Sequence, residues 1–254
     1  MDPTPLEPDL IIRLGHDALG LAMPARPGGS WQSDYRVKGW FRPTEIASVL
    51  DKAFADNPDL FTANRVEVLV THFPHALLPA YLQDEAALDA LVRKYIRVRK
   101  GDEIQVESVS AQGRMGYALP QRVLDILREY FAKARPVHLA AVLWQAVNTR
   151  QPGVTSEAGD GRLWINVNGQ LMTALFRAQG RLAFSKVFTA TAESDIIYYC
   201  SALHRLLKPM HTTWVTMDGQ ASEPVPAALR PLGTDRLHLP GMSTLIEEYR
   251  ACGS

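Results

Sequence analysis

The sequence predicts an α/β fold assembled twice from one β-β-β-α-β-α unit. Three observations carry that expectation. Residues 163–207 read LWINVNGQLMTALFRAQGRLAFSKVFTATAESDIIYYCSALHRLL, which is three apolar strands, two tight turns and then a helix. Residues 10–54 show the same order of elements in the first part of the chain. A Pro/Gly break, QPGVTSEAGDG at Gln151–Gly161, separates the two.

In chain order, residues 1–9 read as a disordered tail, with three prolines and no apolar run. Leu10–Leu14 is a short apolar strand, Gly15-His16-Asp17 a turn and Ala18–Met23 the returning strand. Pro24–Ser30 is a Pro/Gly loop and Tyr35–Phe41 a third strand. Pro43 suits the first turn of a helix, whose inner face is Ile46, Val49, Leu50, Ala53 and Phe54. Arg65–Thr71 is a strand and Glu85–Ile96 a helix. Glu103–Ser110 and Arg114–Leu119 form an inserted hairpin near 103–119. Pro120 opens a helix with Val123, Leu124, Leu127 and Phe131 inward. Pro136–Leu139 is a short strand before an apolar helix through Val147. These elements make a first subdomain over 10–150.

The second subdomain spans 161–254. Asn168-Gly169 is the strongest hairpin signal, because both residues tolerate the positive φ of a type I′ turn. Gln179-Gly180, within Ala178–Arg181, marks the next reversal. Between them Leu171, Ala174, Leu175 and Phe176 read as a strand covered on both faces. Thr191 offers an N-cap hydroxyl, and Glu193 and Asp195 put negative charge in the first helical turn. Ile196, Tyr199, Leu203 and Leu207 recur at helical spacing as the buried stripe. Thr213–Met217 is a strand ending at Asp218-Gly219. A Pro-rich loop over Ser222–Gly233, a strand at Arg236–Leu239 and a helix at Met242–Arg250 complete the chain.

Composition narrows the function classes. The chain has 254 residues, 46% hydrophobic and 21% charged, with 27 basic and 27 acidic side chains. That balance implies no pull toward nucleic acid. The basic run Arg93–Lys100 precedes Asp102-Glu103 and reads as a solvated helix end. No apolar run is long enough to span a bilayer and no secretory leader opens the chain, so a cytoplasmic location is expected. Cys200 and Cys252 do not make a disulfide framework, and Cys200 is expected to be a small core residue.

Several short patterns carry a family resemblance. They are Val68-Leu69-Val70-Thr71 with Ala76-Leu77-Leu78-Pro79, Gly116-Tyr117-Ala118-Leu119-Pro120, and Arg135-Pro136-Val137-His138. With them go Phe184-Ser185-Lys186-Val187-Phe188 and Ser194-Asp195-Ile196-Ile197-Tyr198-Tyr199. From about Leu10 to Gly219 the chain resembles the bacterial domain-of-unknown-function 3822 family. That family is similar to the actin-like ATPase (ribonuclease H-like) superfold, which the doubled element order also describes. The family carries no assigned activity.

In that superfold each half offers a β-hairpin to the phosphates, with an Asp-x-Gly pattern. Glycine lets backbone N–H groups approach phosphate, and the carboxylate holds magnesium. Here the first hairpin reads Arg13-Leu14-Gly15-His16 and the second Asn166-Val167-Asn168-Gly169. Arg13 and Asn166 stand where the two carboxylates would be. The late loop Asp218-Gly219-Gln220 keeps one glycine of an adenine-side turn. The cleft-facing candidates are thus Arg13, Gly15, His16, Asn166, Asn168, Gly169, Asp218 and Gly219, with no catalytic residue, metal ligand or cofactor assigned.

Other motifs have plain readings. His72-Phe73-Pro74-His75 lacks a third ligand for zinc and reads as a loop. Tyr198-Tyr199 reads as core packing with one wetted hydroxyl. Trp31 and Trp40 suit either packing or a partner surface. No phosphate-loop, zinc-protease or nucleophile-elbow motif is present. The expected function is a non-catalytic, pseudoenzyme-like scaffold that binds a protein or peptide, without nucleic acid or membrane insertion, and compatible with a homodimer. The alternative is a divergent nucleotide-binding phosphotransferase or ATPase.

Overall fold

The computed structural model describes residues 10–15, 18–24, 31–38, 43–71, 73–110, 113–150, 161–217, 226–232, 234–240, 245 and 249. The first strands are β1 (Leu10–Leu14), β2 (Ala18–Pro24) and β3 (Trp31–Lys38), followed by α1 (Pro43–Asp56) and β4 (Val66–Val70). The third strand therefore starts and ends earlier than its aromatic residues suggested. β1 runs antiparallel to β2 and parallel to β4. Leu10, Ile12 and Leu14 face one side with Val68 and Val70, under Leu50 and Phe54 of α1. Ile11 and Leu69 face the other side. Both faces of β1 are covered, which is why it reads as an almost unbroken apolar run.

An additional layer follows. β5 (His75–Pro79) precedes α2 (Glu85–Tyr95), β6 (Asp102–Ser110) and β7 (Gly113–Pro120). The expected hairpin is the antiparallel β6–β7 pair. The sequence reads His72–His75 as a loop and assigns no strand to Ala76–Pro79, but His75–Pro79 pairs with β7 and makes a three-stranded sheet in the order β5-β7-β6. Leu78, Leu88 and Val92 pack α2 onto that sheet. Asp84 caps α2 by accepting the Ala87 N–H at 2.7 Å. Gly116 makes the close approach feasible, since a Cβ there would lie 2.4 Å from Val92 Cγ2.

Helix α3 (Gln121–Tyr130) buries Val123, Leu124, Ile126 and Leu127. Beyond it come β8 (Pro136–His138) and α4 (Leu139–Arg150). β8 runs parallel to β4 and completes a five-stranded sheet in the order β3-β2-β1-β4-β8.

The second five-stranded sheet repeats this plan. β9 (Arg162–Asn168), β10 (Leu171–Ala178) and β11 (Arg181–Thr189) precede α5 (Glu193–Leu207), β12 (His211–Met217) and β13 (Thr234–Leu239). Their order is β11-β10-β9-β12-β13, the same arrangement strand for strand. Ile196, Cys200 and Leu203 of α5 pack against Leu163, Ile165, Val167 and Met172. Burial pushes the Cys200 thiol up to about 12, as expected of a core thiol. The predicted C-terminal helix falls mostly outside the described residues, although Leu245 and Tyr249 are helical.

Local geometry departs from expectation at three points. Asn168 pairs with Leu171, so Gly169 and Gln170 are the central residues of the hairpin. Gly169, the first central residue, has φ +61° and Gln170, the second, has no positive φ, the pattern of a type II′ turn. The type I′ pattern occurs instead at Gln179 (φ 52°) and Gly180 (φ 74°). Thr191 is not the N-cap of α5. The residue before the helix is Ala192, and the Asp195 carboxylate reaches back to the N–H groups of Thr191 and Ala192 and to the Thr191 hydroxyl, at 2.8–3.0 Å. Tyr198 is exposed rather than core, while Tyr199 packs on Phe188 with ring centroids 4.5 Å apart.

Helix α4 joins the two sheets. Leu139, Ala140, Ala141, Val142, Leu143, Trp144, Ala146 and Val147 are all buried. A helix apolar all round from Leu139 to Trp144 must be enclosed there. On one side it meets Ile11, Leu69 and Val137, and on the other Trp164, Leu175 and Val215. Trp144 meets Trp164 edge-on at 6.0 Å.

Candidate functional site

Strand alternation decides where the hairpin candidates sit. Arg13 follows Ile11 on the α4-facing side of the first sheet, and Asn166 follows Trp164 on the α4-facing side of the second. Arg13 is half-buried opposite Leu69 of β4 and Gly20 of β2. Gly15, just past β1, is buried. His16, Asp218 and Gly219 lie outside the described residues, as do Asp17 and Trp40.

Asn166 stands apart from the cleft-facing expectation. It is 3% exposed, and its amide donates to the Val215 carbonyl of β12 at 3.0 Å. Leu143, Val147, Thr173 and Leu175 close around it and leave no room for a water molecule. Its side chain ties β9 to β12 beneath α4, a structural use that the strand pattern alone could not reveal. Asn168 and Gly169, by contrast, sit at the solvent-facing tip of the hairpin. Among the described residues, no group of three or more His, Cys, Asp or Glu could hold a metal ion.

Two polar clusters escaped the sequence reading. The first is at His75, where the expected loop is in fact the start of β5. His75 Nε2 lies 2.7 Å from Ser185 Oγ of β11, a bridge from the three-stranded sheet to the second five-stranded sheet. Its ring lies against His138, with centroids 4.5 Å apart. His138 Nδ1 accepts the Ala140 N–H at 3.1 Å, which caps α4, and Nε2 donates to Phe73 O at 2.9 Å. Burial, and then the neighbouring His138, hold the His75 pKa well below the ordinary imidazole value. Pro74-His75 next to an apolar run, with Ser185 on a distant strand, gave no signal short of the fold itself.

The second is the cross-strand pair Arg162 and Arg177, both buried on the α4-facing side of β9 and β10. The Arg177 guanidinium lies 5.2 Å from the centre of the Trp164 ring, a favourable cation–π placement. Alternation along β9 (Arg162, Trp164, Asn166) marks them as inward-facing.

A cavity of about 1320 Å³ opens away from both hairpins, and no residue of β1, β2, β9 or β10 lines it. Its walls are β6 from Gln105 to Ser110, the end of α3 and the outer part of α4. β6 is an edge strand, so among the described residues no strand pairs with its outer side. Val106 there is 39% exposed. Tyr249 already rests on this edge: its hydroxyl lies 3.0 Å from Ser108 O and 3.0 Å from Glu107 Oε2 and shares its one proton between these two acceptors. The other Glu107 oxygen accepts the His138 N–H at 2.8 Å.

Comparison with known proteins agrees with the doubled-sheet architecture. A Bacteroides thetaiotaomicron protein with actin-like ATPase fold and unknown function superposes with a TM-score of 0.71, at 14% identity over 90% of each chain. The PilM-PilN type IV pilus biogenesis complex matches with a TM-score of 0.51, at 11% identity over 94% of this chain and 89% of that one. No curated protein matches the sequence. The fold is that of the actin-like ATPases. The model of the family described as "Protein of unknown function (DUF3822)" matches residues 5–208, and the chain belongs to that family.

Proposed function

We propose that this protein is a non-catalytic scaffold that receives an extended segment of a partner protein along β6. The carrying observation is Asn166. At the position we align with a magnesium-binding carboxylate of this fold, the chain has a neutral amide, buried and already bonded to Val215 O. The other hairpin offers Arg13 at the matching place, a cation that repels a metal. Magnesium-assisted phosphoryl transfer depends on the missing charges.

The groove supplies the alternative use. An unpaired strand edge recognises an extended peptide through main-chain hydrogen bonds, and Tyr249 on Ser108 O illustrates how a donor fits that edge. By analogy of fold only, PilM forms a type IV pilus biogenesis complex with PilN. The test is affinity capture from the native cell with the wild-type chain and Val106→Arg in parallel. A protein retained by the first and lost from the second supports the reading. Identical captures contradict it. Strong thermal stabilisation by magnesium-ATP would instead favour the phosphotransferase.

A further inference from the structure

The basic run at the end of α2 carries more positive charge than the helix uses. Lys94 stands in the last turn, where a cation complements the helix dipole. Arg93, in the same turn, is paired with Asp89 at 2.6 Å. Arg97, Arg99 and Lys100 lie past the C-cap residue Ile96, where the dipole effect fades. Ile96 and Val98 turn inward against Leu88 and Val92, while Arg97 and Arg99 are exposed. That alternation puts the two guanidinium groups on one outer side of the chain. Lys100 follows, exposed, in a turn closed by the Asp102 N–H on Arg99 O at 3.1 Å.

These charges are only partly balanced. Among the described residues, no ion pair engages Lys94, Arg97, Arg99 or Lys100. The carboxylates at hand are Asp89, committed to Arg93, and Asp102, which accepts the Arg99 N–H at 2.9 Å and lies near enough to Arg93 to favour its charge. Five cations against two carboxylates leave a local positive excess in a chain that is neutral as a whole. Tyr95 stands among them, 64% exposed, with Lys94 Nζ 5.9 Å from the centre of its ring.

The form of this surface selects its partner. None of residues 93–100 lines the β6 groove or the small space around Asn166, so nothing there encloses a peptide or a small anion. A nucleic acid extending past this end would meet a surface with no overall positive charge. A planar bilayer touches only the end presented to it and needs no matching shape. Clustered Lys and Arg are drawn to its anionic headgroups. A tyrosine, apolar in body and polar at the tip, suits the headgroup level.

We propose that the end of α2 and the turn after it, Lys94 to Lys100, hold the protein peripherally on an anionic phospholipid surface. The proposal does not rest on the scaffold reading, because it uses no residue of the β6 groove.

Vesicle co-sedimentation with the full chain tests it, using phosphatidylcholine alone and phosphatidylcholine with an equal share of phosphatidylglycerol. The wild type should bind the anionic vesicles, leave the neutral ones, and be released by added salt. Arg97→Gln, Arg99→Gln and Lys100→Gln together should weaken binding on the order of a hundredfold, at about fivefold per cation, with an unchanged melting profile. Arg97→Lys with Arg99→Lys should retain binding, and so should Arg205→Gln on α5. A chain with no preference for the anionic vesicles overturns the proposal. So does binding indifferent to the three glutamine substitutions. A chain that ignores both vesicles but binds a mixed-sequence RNA through Arg97, Arg99 and Lys100 overturns it in favour of a nucleic-acid surface.

Discussion

Replacing Asn166 by Asp asks whether this position is a vacant catalytic slot or a structural tie. The change is nearly isosteric but removes the N–H groups that bond Val215 O at 3.0 Å. Losing the hydrogen bond costs about 0.5–1.5 kcal/mol, and leaving a buried carbonyl unsatisfied adds about 1–3 kcal/mol. The new carboxyl would face a carbonyl oxygen among Leu143, Val147 and Leu175, so it must protonate or bear a desolvation cost. A total near 2–4 kcal/mol follows, equivalent to a melting temperature lower by roughly 4–16 °C for a chain of this size. The sign with pH is definite. Burial raises the carboxyl's pKa in the folded state, so the folded chain binds more protons than the unfolded one above about pH 4. The loss should therefore be larger at pH 8 than at pH 5. Thermal melts of wild type and Asn166→Asp at both values give the answer. A variant that melts with the wild type at pH 8 would refute the structural account of Asn166.

Three other outcomes are expected. Gly169→Val should destabilise by about 1–3 kcal/mol, because a β-branched residue is strained at φ +61°, whereas Asn168→Ala should change the denaturation midpoint little, since Asn168 lies in the strand. Gly116→Ala should cost about 1–3 kcal/mol by overpacking, as its Cβ would sit 2.4 Å from Val92 Cγ2 and 2.9 Å from Leu78 Cδ1; equal urea midpoints would contradict the tight α2 contact. His75 has a folded pKa below its unfolded value, so the unfolded chain binds the extra proton: its contribution is complete above about pH 6.5 and is lost as the pH falls toward the lowered folded value. His75→Gln should flatten that part of the stability–pH curve, and an unchanged slope would show that the bridge to Ser185 does not titrate.

Much of the fold was legible because local signals agreed with one another. β1, β4, β9 and β10 announce themselves as apolar runs, Pro43 and Pro120 mark helix starts, and Gly180, at φ 74°, marks the second reversal where the sequence expects it. β5 was missed because its five residues, HALLP, are too short for periodicity and acquire strand character only by pairing with β7. The Asn168-Gly169 expectation gave the right hairpin and the wrong register, since Gly169 at the first central position suits a type II′ turn equally well. The site was less legible. Sequence places Arg13 and Asn166 at the hairpins, but only the three-dimensional arrangement shows that Asn166 is committed to Val215 and enclosed by α4. The His75–His138–Ser185 cluster joins three distant segments, and the β6 groove is a property of sheet order, so neither leaves a pattern in the chain.

The central claim is that the β1–β2 and β9–β10 hairpins of this chain do not support a metal–nucleotide site. Calorimetric titration of the intact protein with ATP, with and without magnesium, tests it most directly. The account predicts no magnesium-dependent binding tighter than roughly millimolar, about 4 kcal/mol at standard state, and no release of phosphate. Micromolar affinity that requires magnesium would contradict it.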